Sequence, residues 1–343
     1  MNEWLPVPAH RRAPLELIGR GLLQAERIIL TTHVNADGDG AGCEAAVAAW
    51  LSRQGKTVHI VNPTPYPAAF AHLIENRAWV IDPNHPEAGA VTAQAQVVLV
   101  LDTGEPKRIG RVLGGLAGKN VLVIDHHPPS DASFRGTVLL DPDACATGEL
   151  VFDLFLVATV PEPWPALSCQ GLYTAIVTDT GSFRFSNTTP RAHALAGDLI
   201  RRGVDPEETY KRLFATMPLR RVQLLRAALD ALEVDPDLPI TWISIPRSIM
   251  VDAGASSEDL EGLVDQARAV EGTEVALLFR ETTDGGTKVS LRSNGDVNVN
   301  AIARQFGGGG HVKASGAVLA LPIDEARARV LAATRAALRD SQG

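Results

Sequence analysis

The sequence predicts an α/β fold with a doubly wound parallel sheet in the first half, a helical connector and a smaller C-terminal α/β domain. The chain has 343 residues, of which 45% are apolar and 21% charged, a composition typical of globular proteins. Its length favours two domains, since a domain has roughly 100 to 200 residues. In the first half, short β-branched segments alternate with helical stretches, which is the pattern of βαβ units.

Four apolar segments in the first half predict the strands of the parallel sheet. Their nearly continuous apolar character is typical of strands covered by helices on both faces. Between the first two, GCEAAVAAWLSRQG has apolar residues at helical spacing and ends at Gly55, a residue type common at helix C-termini. Parallel strands need such a crossover. The predicted strands are RIILTTH (27–33), TVHIV (57–61), VVLVLDT (97–103) and NVLVIDH (120–126).

The second half predicts a helical connector and then a separate α/β domain. From Pro190 to about Glu233 the pattern is helical, with RAHALAGDLIRRG, PEETYKRLF and PLRRVQLLRAALDALE in succession. The strand-like segments PITWISI, EVALLFRE, TKVSLRSN and SGAVLAL follow, and DEARARVLAATRAALRD predicts a final helix. The predicted domains are residues 1–190, a connector over 191–235 and residues 236–343.

Charge and cysteine content argue against several classes of protein. The formal net charge is −8, so no long duplex nucleic acid is expected as a partner, because duplex affinity comes mainly from Lys and Arg. No membrane partner is expected, since no apolar run approaches about 18 residues and Glu16 and Arg20 interrupt the N-terminal stretch. Cys43, Cys145 and Cys169 are widely spaced, which argues against disulfides and structural zinc. We expect a soluble cytoplasmic protein.

Acidic residues and histidines lie where predicted strands end, the edge at which open α/β sheets bind ligands. THVNADGDG places His33, Asp37 and Asp39 in one short loop, and the apolar strand of LDTGE ends at Asp102. Turn formation or helix capping alone would also select such residues. Each motif is therefore weak evidence when taken alone.

Two further motifs add histidines and another carboxylate. VIDHHPP places Asp125, His126 and His127 at the end of a strand. A lone histidine is more often a core or surface residue, but two adjacent histidines here favour metal or phosphate chemistry. In LYTAIVTDTGSFRFSNTT, an apolar helical stretch ends at Asp179, just before Gly181. A carboxylate there is unfavourable for the helix dipole, which favours a compensating cation.

Together these motifs predict a centre with two divalent cations. Carboxylates a few ångströms apart raise one another's pKa values, whereas two cations would neutralise them. Nitrogen and oxygen ligands without sulfur suit Mn²⁺, with magnesium, iron or cobalt as substitutes. Two cations about 3.5 to 4 Å apart hold a hydroxide and clamp the oxygens of a phosphorus centre, which predicts phosphate-ester hydrolysis. The predicted ligands are His33, Asp37, Asp39, Asp102, His126 and Asp179.

The glycine run near the C-terminus predicts a substrate-binding surface. Four glycines end at His311, and their backbone N–H groups could approach an anion without interference from side chains. A flexible turn is the alternative. Arg292 with Ser293 offers a charged donor fork for a phosphate or a terminal nucleotide. The predicted substrate-binding residues are Arg292, Ser293, Gly309, Gly310 and His311, with Arg108 and Arg184 as further candidates.

The ordered set HVNADGDGAG, LDTG, IDHHP and TDTGSFRF resembles the four motifs of the DHH phosphoesterase superfamily. VSLRSNGDVNVNAIARQFGGGGHVKASG resembles its companion DHHA1 domain. Motif order, spacing and length are most similar to the stand-alone bacterial nanoRNase/pAp phosphatases. These enzymes trim very short oligoribonucleotides and remove a phosphate from 3′-phosphoadenosine 5′-phosphate (pAp). The resemblance implies an N-terminal DHH domain, a C-terminal DHHA1 domain and an active-site cleft between them.

The resemblance also implies a role for each motif residue. Asp102 would bridge the two cations, and the hydroxide between them would attack phosphorus. His127 would face the substrate phosphate or the leaving oxygen, while Asp125 would orient the neighbouring histidines. The DHHA1 surface would grip a terminal nucleotide, and a homodimer is implied. One cation would be held by His33, Asp37 and Asp102, and the other by Asp39, Asp102, His126 and Asp179.

The first motif departs from the usual form of the superfamily at three positions, none of which is a ligand position. Ala36 replaces a common proline, Gly40 a common alanine and Cys43 a common serine. These departures bear on the substrate subtype and leave the predicted metal centre unaffected.

Four alternatives were weighed against this interpretation. A nicotinamide-binding enzyme would need G-x-G-x-x-G where the chain has HVNADGDG. An inorganic pyrophosphatase shares the metal motifs but usually has a basic substrate clamp where this chain has Gly307 to His311. A phosphodiesterase for cyclic or linear dinucleotides, such as c-di-AMP or pApA, can share both domains. A non-catalytic nucleotide sensor is the alternative of another class, although all the predicted ligands are present.

Overall fold

The computed structural model describes residues 4–129, 132–260 and 262–341. The chain divides into two compact units, with the boundary between Ala215 and Thr216. This boundary lies inside the predicted connector, and the predicted domain bounds stay a prediction. Among the described residues, none of the helices has the length and apolar character needed to span a membrane.

The first unit is built on a parallel sheet of five strands in the order β2-β1-β3-β4-β5. Four of these strands are the predicted ones, whereas β5, at Thr137–Leu140, was not predicted. Short 3₁₀ segments lie at Ala68–Leu73, Arg77–Trp79 and Pro106–Leu116. The elements are α1 (Ala9–Gln24), β1 (Arg27–Thr31), α2 (Gly38–Arg53), β2 (Thr57–Ile60), α3 (Glu87–Gln94), β3 (Val97–Leu101), β4 (Asn120–Asp125), β5 (Thr137–Leu140), α4 (Thr147–Val157), α5 (Ala166–Asp179), α6 (Pro190–Arg201) and α7 (Pro206–Leu213).

Helices cover both faces of this sheet, as the apolar strands predicted. All five residues of β3 are buried. Leu99 and Leu101 belong to a core with residues of α1, α2, α4 and α5, whereas Val98 and Val100 belong to a second core with residues of α3 and of the segment 106–116. The alternation follows from the two-residue period of a strand. The predicted doubly wound sheet is confirmed.

Helices α2 and α5 pack against each other in antiparallel directions. Gly38 in the first turn of α2 faces Thr178 near the end of α5, and Gly42 faces Gly171. The N-terminus of α2 therefore lies beside the C-terminus of α5. Gly55 follows α2 with φ 76°, which fits its predicted place at the end of that helix. The three cysteines of the chain, Cys43, Cys145 and Cys169, are free and buried.

The second unit is a mixed sheet of six strands in the order β10-β11-β9-β8-β7-β6. Only β7 and β8 pair in parallel; the other pairs are antiparallel. The predicted α/β character is confirmed, and β6 and β10 are additions to the predicted strands. The elements are α8 (Leu219–Asp230), β6 (Leu232–Val234), β7 (Ile240–Ile245), α9 (Arg247–Asp252), a 3₁₀ turn (Ser257–Leu260), α10 (Leu263–Arg268), β8 (Val275–Glu281), β9 (Thr287–Ser293), α11 (Val299–Arg304), β10 (Gly309–His311), β11 (Ala314–Leu319) and α12 (Ile323–Ser341).

The two faces of the second sheet are covered to different extents. On one face, Leu277, Val289 and Leu291 pack with residues of α11 and α12. On the other face, Ala276 and Leu278 of β8 pack with residues of α8 and α10. The continuation of this second face onto β9, β11 and β10 carries partly exposed and exposed residues. This part of the sheet is open to a ligand.

Candidate metal centre

Three neighbouring parallel strands bring their carboxyl ends to one edge of the first sheet. Strand β1 pairs with β3, and β3 pairs with β4. His33 follows β1 by two residues, Asp102 follows β3 directly and His126 follows β4 directly. The βαβ pattern therefore places three residues from distant parts of the sequence at the same edge.

Asp102 lies at the centre of this edge and is 1% exposed. Its φ of 60° is in the left-handed region, which costs backbone energy for a residue other than glycine. Its N–H donates to the carbonyl oxygen of Ile124 at 2.9 Å. Its Oδ1 accepts a hydrogen bond of 3.0 Å from Oγ1 of Thr147, and its Oδ2 lies 3.3 Å from Nε2 of His33. The strained turn is typical of a functional site.

The start of α2 provides the next two carboxylates. Asp37 is the N-cap, and its Oδ1 accepts from the N–H groups of Asp39 at 3.1 Å and Gly40 at 3.2 Å. Its Oδ2 lies 3.7 Å from Nε2 of His33. The capping role, which was the simpler explanation of this motif, and the approach to His33 therefore occur together.

Asp39 is 1% exposed and is held by backbone donors from another part of the chain. Its Oδ2 accepts from the N–H of Thr147 at 2.6 Å, and its Oδ1 accepts from the N–H of Gly148 at 2.9 Å. Thr147 and its neighbours are not among the predicted site residues. The one available signal was a Thr-Gly-Glu sequence just before an apolar helical run, which predicts only a helix start.

Asp179 is the last residue of α5, as the sequence predicted. Its Oδ2 accepts a hydrogen bond of 3.2 Å from Nδ2 of Asn187. After it, Gly181, Ser182 and Phe183 all have positive φ values of 55°, 58° and 63°. This left-handed turn ends the helix abruptly and leaves the Asp179 carboxylate beside the other acids.

The structure brings all six predicted ligands together. Ligand atoms of His33, Asp37 and Asp102 lie within 4.8 Å of one another, and the same holds for Asp39, His126 and Asp179. A third such group consists of Asp102, His126 and His127. Asp102 and His126 therefore each belong to two groups, so adjacent cation sites would share ligands.

The surroundings of His126 fit a bound cation. Its Nε2 lies 3.5 Å from Oδ2 of Asp179, 3.7 Å from Oδ2 of Asp39 and 3.8 Å from Oδ1 of Asp102. These distances are too long for hydrogen bonds, and within the described parts of the chain this buried nitrogen has no hydrogen-bond partner. Buried polar atoms are usually paired. A divalent cation among these four side chains would satisfy the nitrogen and the three carboxylates together.

The pKa values of Asp39 and Asp179 are also consistent with a cation bound among these side chains. Burial raises the pKa of Asp39, and the carboxylates of Asp102 and Asp179 raise it further. Burial, with a contribution from Asp102, raises the pKa of Asp179 to about 6. For His33, burial lowers the pKa, but the hydrogen bond to Asp102 outweighs it, and the pKa rises to about 10. A cation near Asp39 and Asp179 would favour their ionised forms, which are the forms that bind metal.

His127 differs from His126 in its exposure and its partner. Its side chain is 41% exposed. Oδ1 of Asp125 accepts from the N–H of His127 at 3.1 Å and lies 2.7 Å from its Nδ1, while Oδ2 of Asp125 accepts from the N–H of Gly104 at 2.6 Å. The hydrogen bond to Asp125 raises the pKa of His127, and burial and the charge of Arg108 oppose the rise. Asp125 thus fixes the ring of His127 in place.

The register of the second sheet aligns two of the predicted substrate-binding residues. Ala314 on β11 pairs with Arg292 on β9 and with His311 on β10. Directly opposed residues lie on the same face, so Arg292 and His311 flank Ala314 on the open face. Ser293 is 5% exposed, and its hydroxyl donates to the carbonyl oxygen of Gly295. Adjacent strand residues face opposite sides, so Ser293 does not lie beside Arg292, and its role stays a prediction.

Of the two glycines of the predicted binding surface, Gly310 has a backbone reason for its identity. Gly309 and Gly310 belong to β10 and are exposed. Gly310 has φ 139°, and a Cβ there would come within 2.6 Å of the carbonyl oxygen of Ala314. Of the further candidates, Arg108 accepts a backbone hydrogen bond from Val34, and Nε of Arg184 donates to the carbonyl oxygen of Gly181. Neither arginine is thereby assigned to substrate.

Two family descriptions match the sequence. Residues 27–176 match the DHH family, N-terminal domain, and residues 245–340 match the DHHA1 domain. The first match contains every predicted ligand except Asp179, and the second contains Arg292 and His311. The predicted resemblance to both domains is confirmed.

Individual relatives cover nearly the whole chain. The bifunctional oligoribonuclease and PAP phosphatase NrnA of Thermus thermophilus is 34% identical over 309 residues, which is 90% of this chain and 89% of the relative. The protein of the same name from Bacillus subtilis is 27% identical, over 85% of this chain and 89% of the relative. An exopolyphosphatase-related protein from Bacteroides fragilis, known from its crystal structure, is 25% identical to this chain in sequence. The two structures superpose with a TM-score of 0.86 over 96% of each chain.

Proposed function

This chain belongs to the DHH family and carries a DHHA1 domain, and we propose that it is a phosphoesterase dependent on two divalent cations. Its proposed substrates are short oligoribonucleotides, which it hydrolyses to mononucleotides, and pAp, which it dephosphorylates to AMP. Two relatives named bifunctional oligoribonuclease and PAP phosphatase NrnA support these substrates, because the match spans 89% of the length of each.

The observation that carries the proposal is the position of the His126 ring among three carboxylates. Its unpaired Nε2 lies between 3.5 and 3.8 Å from oxygens of Asp39, Asp102 and Asp179. Imidazole nitrogen and carboxylate oxygen without thiolate suit Mn²⁺, which is the proposed metal. His33, Asp37 and Asp102 would hold one cation, and Asp39, Asp102, His126 and Asp179 the other. When bound, such a pair lowers the pKa of water and neutralises charge at a phosphoryl group.

The chain's own residues then supply position and proton transfer. Asp102 belongs to both proposed sites, and its carboxylate is held by the hydroxyl of Thr147 and lies beside the ring of His33. His127 is half-exposed and oriented by Asp125, so it can donate a proton to the leaving oxygen of the ester. Asp125 is itself anchored by the N–H of Gly104, which keeps the donor ring in one orientation.

The open face of the DHHA1 domain is proposed to hold the terminal nucleotide of the substrate. Arg292 and His311 lie on one row of this face, separated by the small side chain of Ala314. A guanidinium group suits the phosphate of a terminal nucleotide because it offers several hydrogen-bond donors in one plane. A surface that grips one end favours short single-stranded substrates. The net charge of −8 is unfavourable for long duplexes.

Two further properties belong to this proposal. Three free, buried cysteines are typical of proteins in a reducing compartment, and the cytoplasm is the proposed location. A homodimer is proposed from the family resemblance alone. Size-exclusion chromatography with light scattering would distinguish a dimer from a monomer.

A substrate panel tests the proposed function. The metal-free protein is supplied with Mn²⁺ and incubated in parallel reactions with pAp, RNA of two to five nucleotides, pyrophosphate, cyclic di-AMP or the linear dinucleotide pApA. Chromatography follows the release of AMP and mononucleotides, and a phosphate assay follows the release of inorganic phosphate, with chelator and Mg²⁺ as comparison arms. We expect turnover of pAp and short RNA to exceed turnover of the other substrates and to stop with chelator.

Other results of the panel would replace the proposal. Preferred cleavage of cyclic di-AMP or pApA would assign a dinucleotide phosphodiesterase, and preferred release of inorganic phosphate from pyrophosphate would assign a pyrophosphatase. Tight nucleotide binding without turnover of any substrate would assign a sensor.

A further inference from the structure

One short segment, residues 144–148, runs from the loop after β5 into the first turn of α4. It contacts three of the six proposed ligands directly and a fourth through Asn187. At its start, the carbonyl oxygen of Ala144 lies 3.4 Å from Nδ1 of His126. The carbonyl oxygen of Cys145 accepts a hydrogen bond of 2.8 Å from Asn187, and the same amide nitrogen of Asn187 donates to Asp179. This half of the segment therefore lies against two ligands, one directly and one through Asn187.

The other half of the segment contacts the remaining two ligands through Thr147 and Gly148. Their N–H groups donate to the two oxygens of Asp39. The hydroxyl of Thr147 donates to Oδ1 of Asp102 at 3.0 Å. Thr147 is fully buried, so its hydroxyl lies out of contact with solvent. Asp102 is the ligand shared by both proposed sites. Within residues 144–148, the neutral side chain that donates to it is that of Thr147.

Thr147 is not acting as an ordinary helix cap. The N-cap of α4 is Ala146, which has no capping side chain, and Thr147 is the first residue inside the helix. A threonine at a helix start commonly uses its hydroxyl to accept from the backbone of its own helix. Here the hydroxyl donates to a carboxylate 45 residues earlier in the sequence. Helix stability alone therefore does not explain why the residue is a threonine.

A buried ion cluster holds both ends of the segment. Arg11 of α1 is 3% exposed, and its Nε donates to Asp141, just before the segment, at 2.6 Å. Its Nη1 donates to Oε1 of Glu149, just after the segment, at 2.6 Å. Oε2 of Glu149 in turn accepts from the N–H of Cys145 at 3.1 Å. One guanidinium group thus joins the two flanks of the segment.

A second arginine reinforces this arrangement. Nε of Arg191, on α6, donates to Oε1 of Glu149 at 3.0 Å, and its Nη2 pairs with Asp153 of α4. Nη1 of Arg11 also donates to Asp153 at 2.9 Å. Burying these charges costs desolvation energy, which their ion pairs and hydrogen bonds offset. The pairs connect residues on both sides of residues 144–148 to α1 and α6.

We propose that Thr147 is a positioning residue of the metal centre: its hydroxyl orients Asp102, its amide orients Asp39, and the Arg11–Glu149 pair holds it in place. This inference rests on the proposed function, since it concerns the same centre. Donors that hold metal ligands tune metal affinity, and their loss lowers metal affinity or activity roughly 10- to 100-fold. The effect on Mn²⁺ binding should therefore be measurable without any substrate.

The test compares Thr147→Val with Thr147→Ser. Valine keeps the branched shape and removes the donor, whereas serine keeps the donor and removes a methyl group. Titration calorimetry of the metal-free proteins with Mn²⁺ should show roughly 10- to 100-fold weaker binding for the valine variant and near-normal binding for the serine variant. Turnover of pAp should show a lower kcat with little change in KM for the valine variant.

Thr334→Val provides the matched control. Thr334 is fully buried, and its hydroxyl donates to the backbone of its own helix α12, so the same substitution there should leave Mn²⁺ affinity unchanged. Urea unfolding of the metal-free variants separates metal binding from folding: Thr147→Val and Thr334→Val should lose similar stability.

The outcomes separate this inference from the proposed function. If the wild-type protein binds Mn²⁺ and Thr147→Val binds it equally well, the positioning role is wrong while the metal centre stands. If serine weakens binding as much as valine does, packing of the methyl group is the cause, and the hydroxyl has no role. If the wild-type protein takes up no Mn²⁺, the proposed function and this inference both fail.

Discussion

Gly42 on α2 and Gly171 on α5 lie so close that a Cβ on either residue would clash with the carbonyl oxygen of the other. The contact lies within the antiparallel packing of the two helices. Asp39 is in the first turn of α2, and Asp179 is the last residue of α5. The close crossing therefore sets how near the carboxylates of these two helices come to each other.

Gly171→Ala should push these helices apart. The neighbouring atoms are backbone and cannot move aside cheaply, so overpacking should lower the free energy of unfolding by about 1 to 3 kcal/mol and weaken Mn²⁺ binding. Urea unfolding and calorimetry measure the two effects. Gly197→Ala is the control, because a Cβ there meets no atom within 4 Å and alanine favours a helix over glycine. Equal stability of the two variants would contradict the close crossing.

Asp102→Asn should abolish nearly all turnover. Asparagine has the shape of aspartate and tolerates left-handed φ values, so the backbone at φ 60° is retained while the charge is lost. Because Asp102 belongs to both proposed sites, the loss of kcat should exceed about 100-fold, the upper range for a residue that acts through a ligand. Phosphate release from pAp measures it. Asp82→Asn, at an exposed position, should keep normal activity; near-normal activity of Asp102→Asn would refute the proposed centre.

Arg292→Ala should weaken substrate binding more than it slows catalysis. A hydrogen bond to a charged group contributes about 1.5 to 3 kcal/mol, so KM for pAp should rise about 10- to 100-fold with a smaller change in kcat. Steady-state kinetics separate the two constants. Arg329→Ala, on the exposed side of α12, is the matched loss of an arginine. If both variants raise KM equally, the open face of the sheet is not the binding surface.

Arg11→Met should strongly destabilise the first unit. It removes one of the partners of Asp141, Glu149 and Asp153, and breaking a buried ion pair by removing one member costs about 3 to 5 kcal/mol. Urea unfolding followed by circular dichroism measures the loss. Arg12→Met changes the adjacent exposed residue and should alter stability by less than about 0.5 kcal/mol. A small effect at Arg11 would show that the cluster is not a structural tie.

Acid pH should remove the stability that Asp198 contributes. Burial opposes ionisation of this carboxyl, but hydrogen bonds from Arg201 and Arg202 outweigh it and hold its pKa below the ordinary value. The contribution is therefore complete above the unfolded-state pKa of about 3.9 and is lost as the pH falls through the lower folded-state value. The stability difference between wild type and Asp198→Asn should be constant at neutral pH and shrink below about pH 4. A difference that grows on acidification would reverse the sign of this assignment.

The parts of the site that follow strand ends could be predicted from the sequence. His33, Asp102 and His126 each follow an apolar strand, and parallel strands share their carboxyl edge, so local patterns were enough to place them together. Asp179 required only the end of an apolar helical stretch and the glycine after it. These predictions depend on the spacing of apolar residues and on the residue types that form turns. Both are properties of short stretches of sequence.

The contacts of Thr147 could not be predicted in this way. Thr147 is 108 residues from Asp39 and 45 residues from Asp102 in the sequence. Its contacts with them depend on how α4 packs, and no local sequence pattern predicts that packing. Strands β5, β6 and β10 were also missed. β6 and β10 have three residues each, too few to show the two-residue alternation of a strand, whereas β5 is recognisable from its pairing with β4.

The placement of the cysteines gives the first unit an internal reporter of its own motions. Cys43 lies on α2, Cys145 in the segment before α4 and Cys169 on α5, and each is shielded from solvent. A thiol reagent can reach them only when the surrounding structure opens. Reaction rates at the three sulfur atoms therefore register how often the structure opens around each of them, without any label having to be introduced.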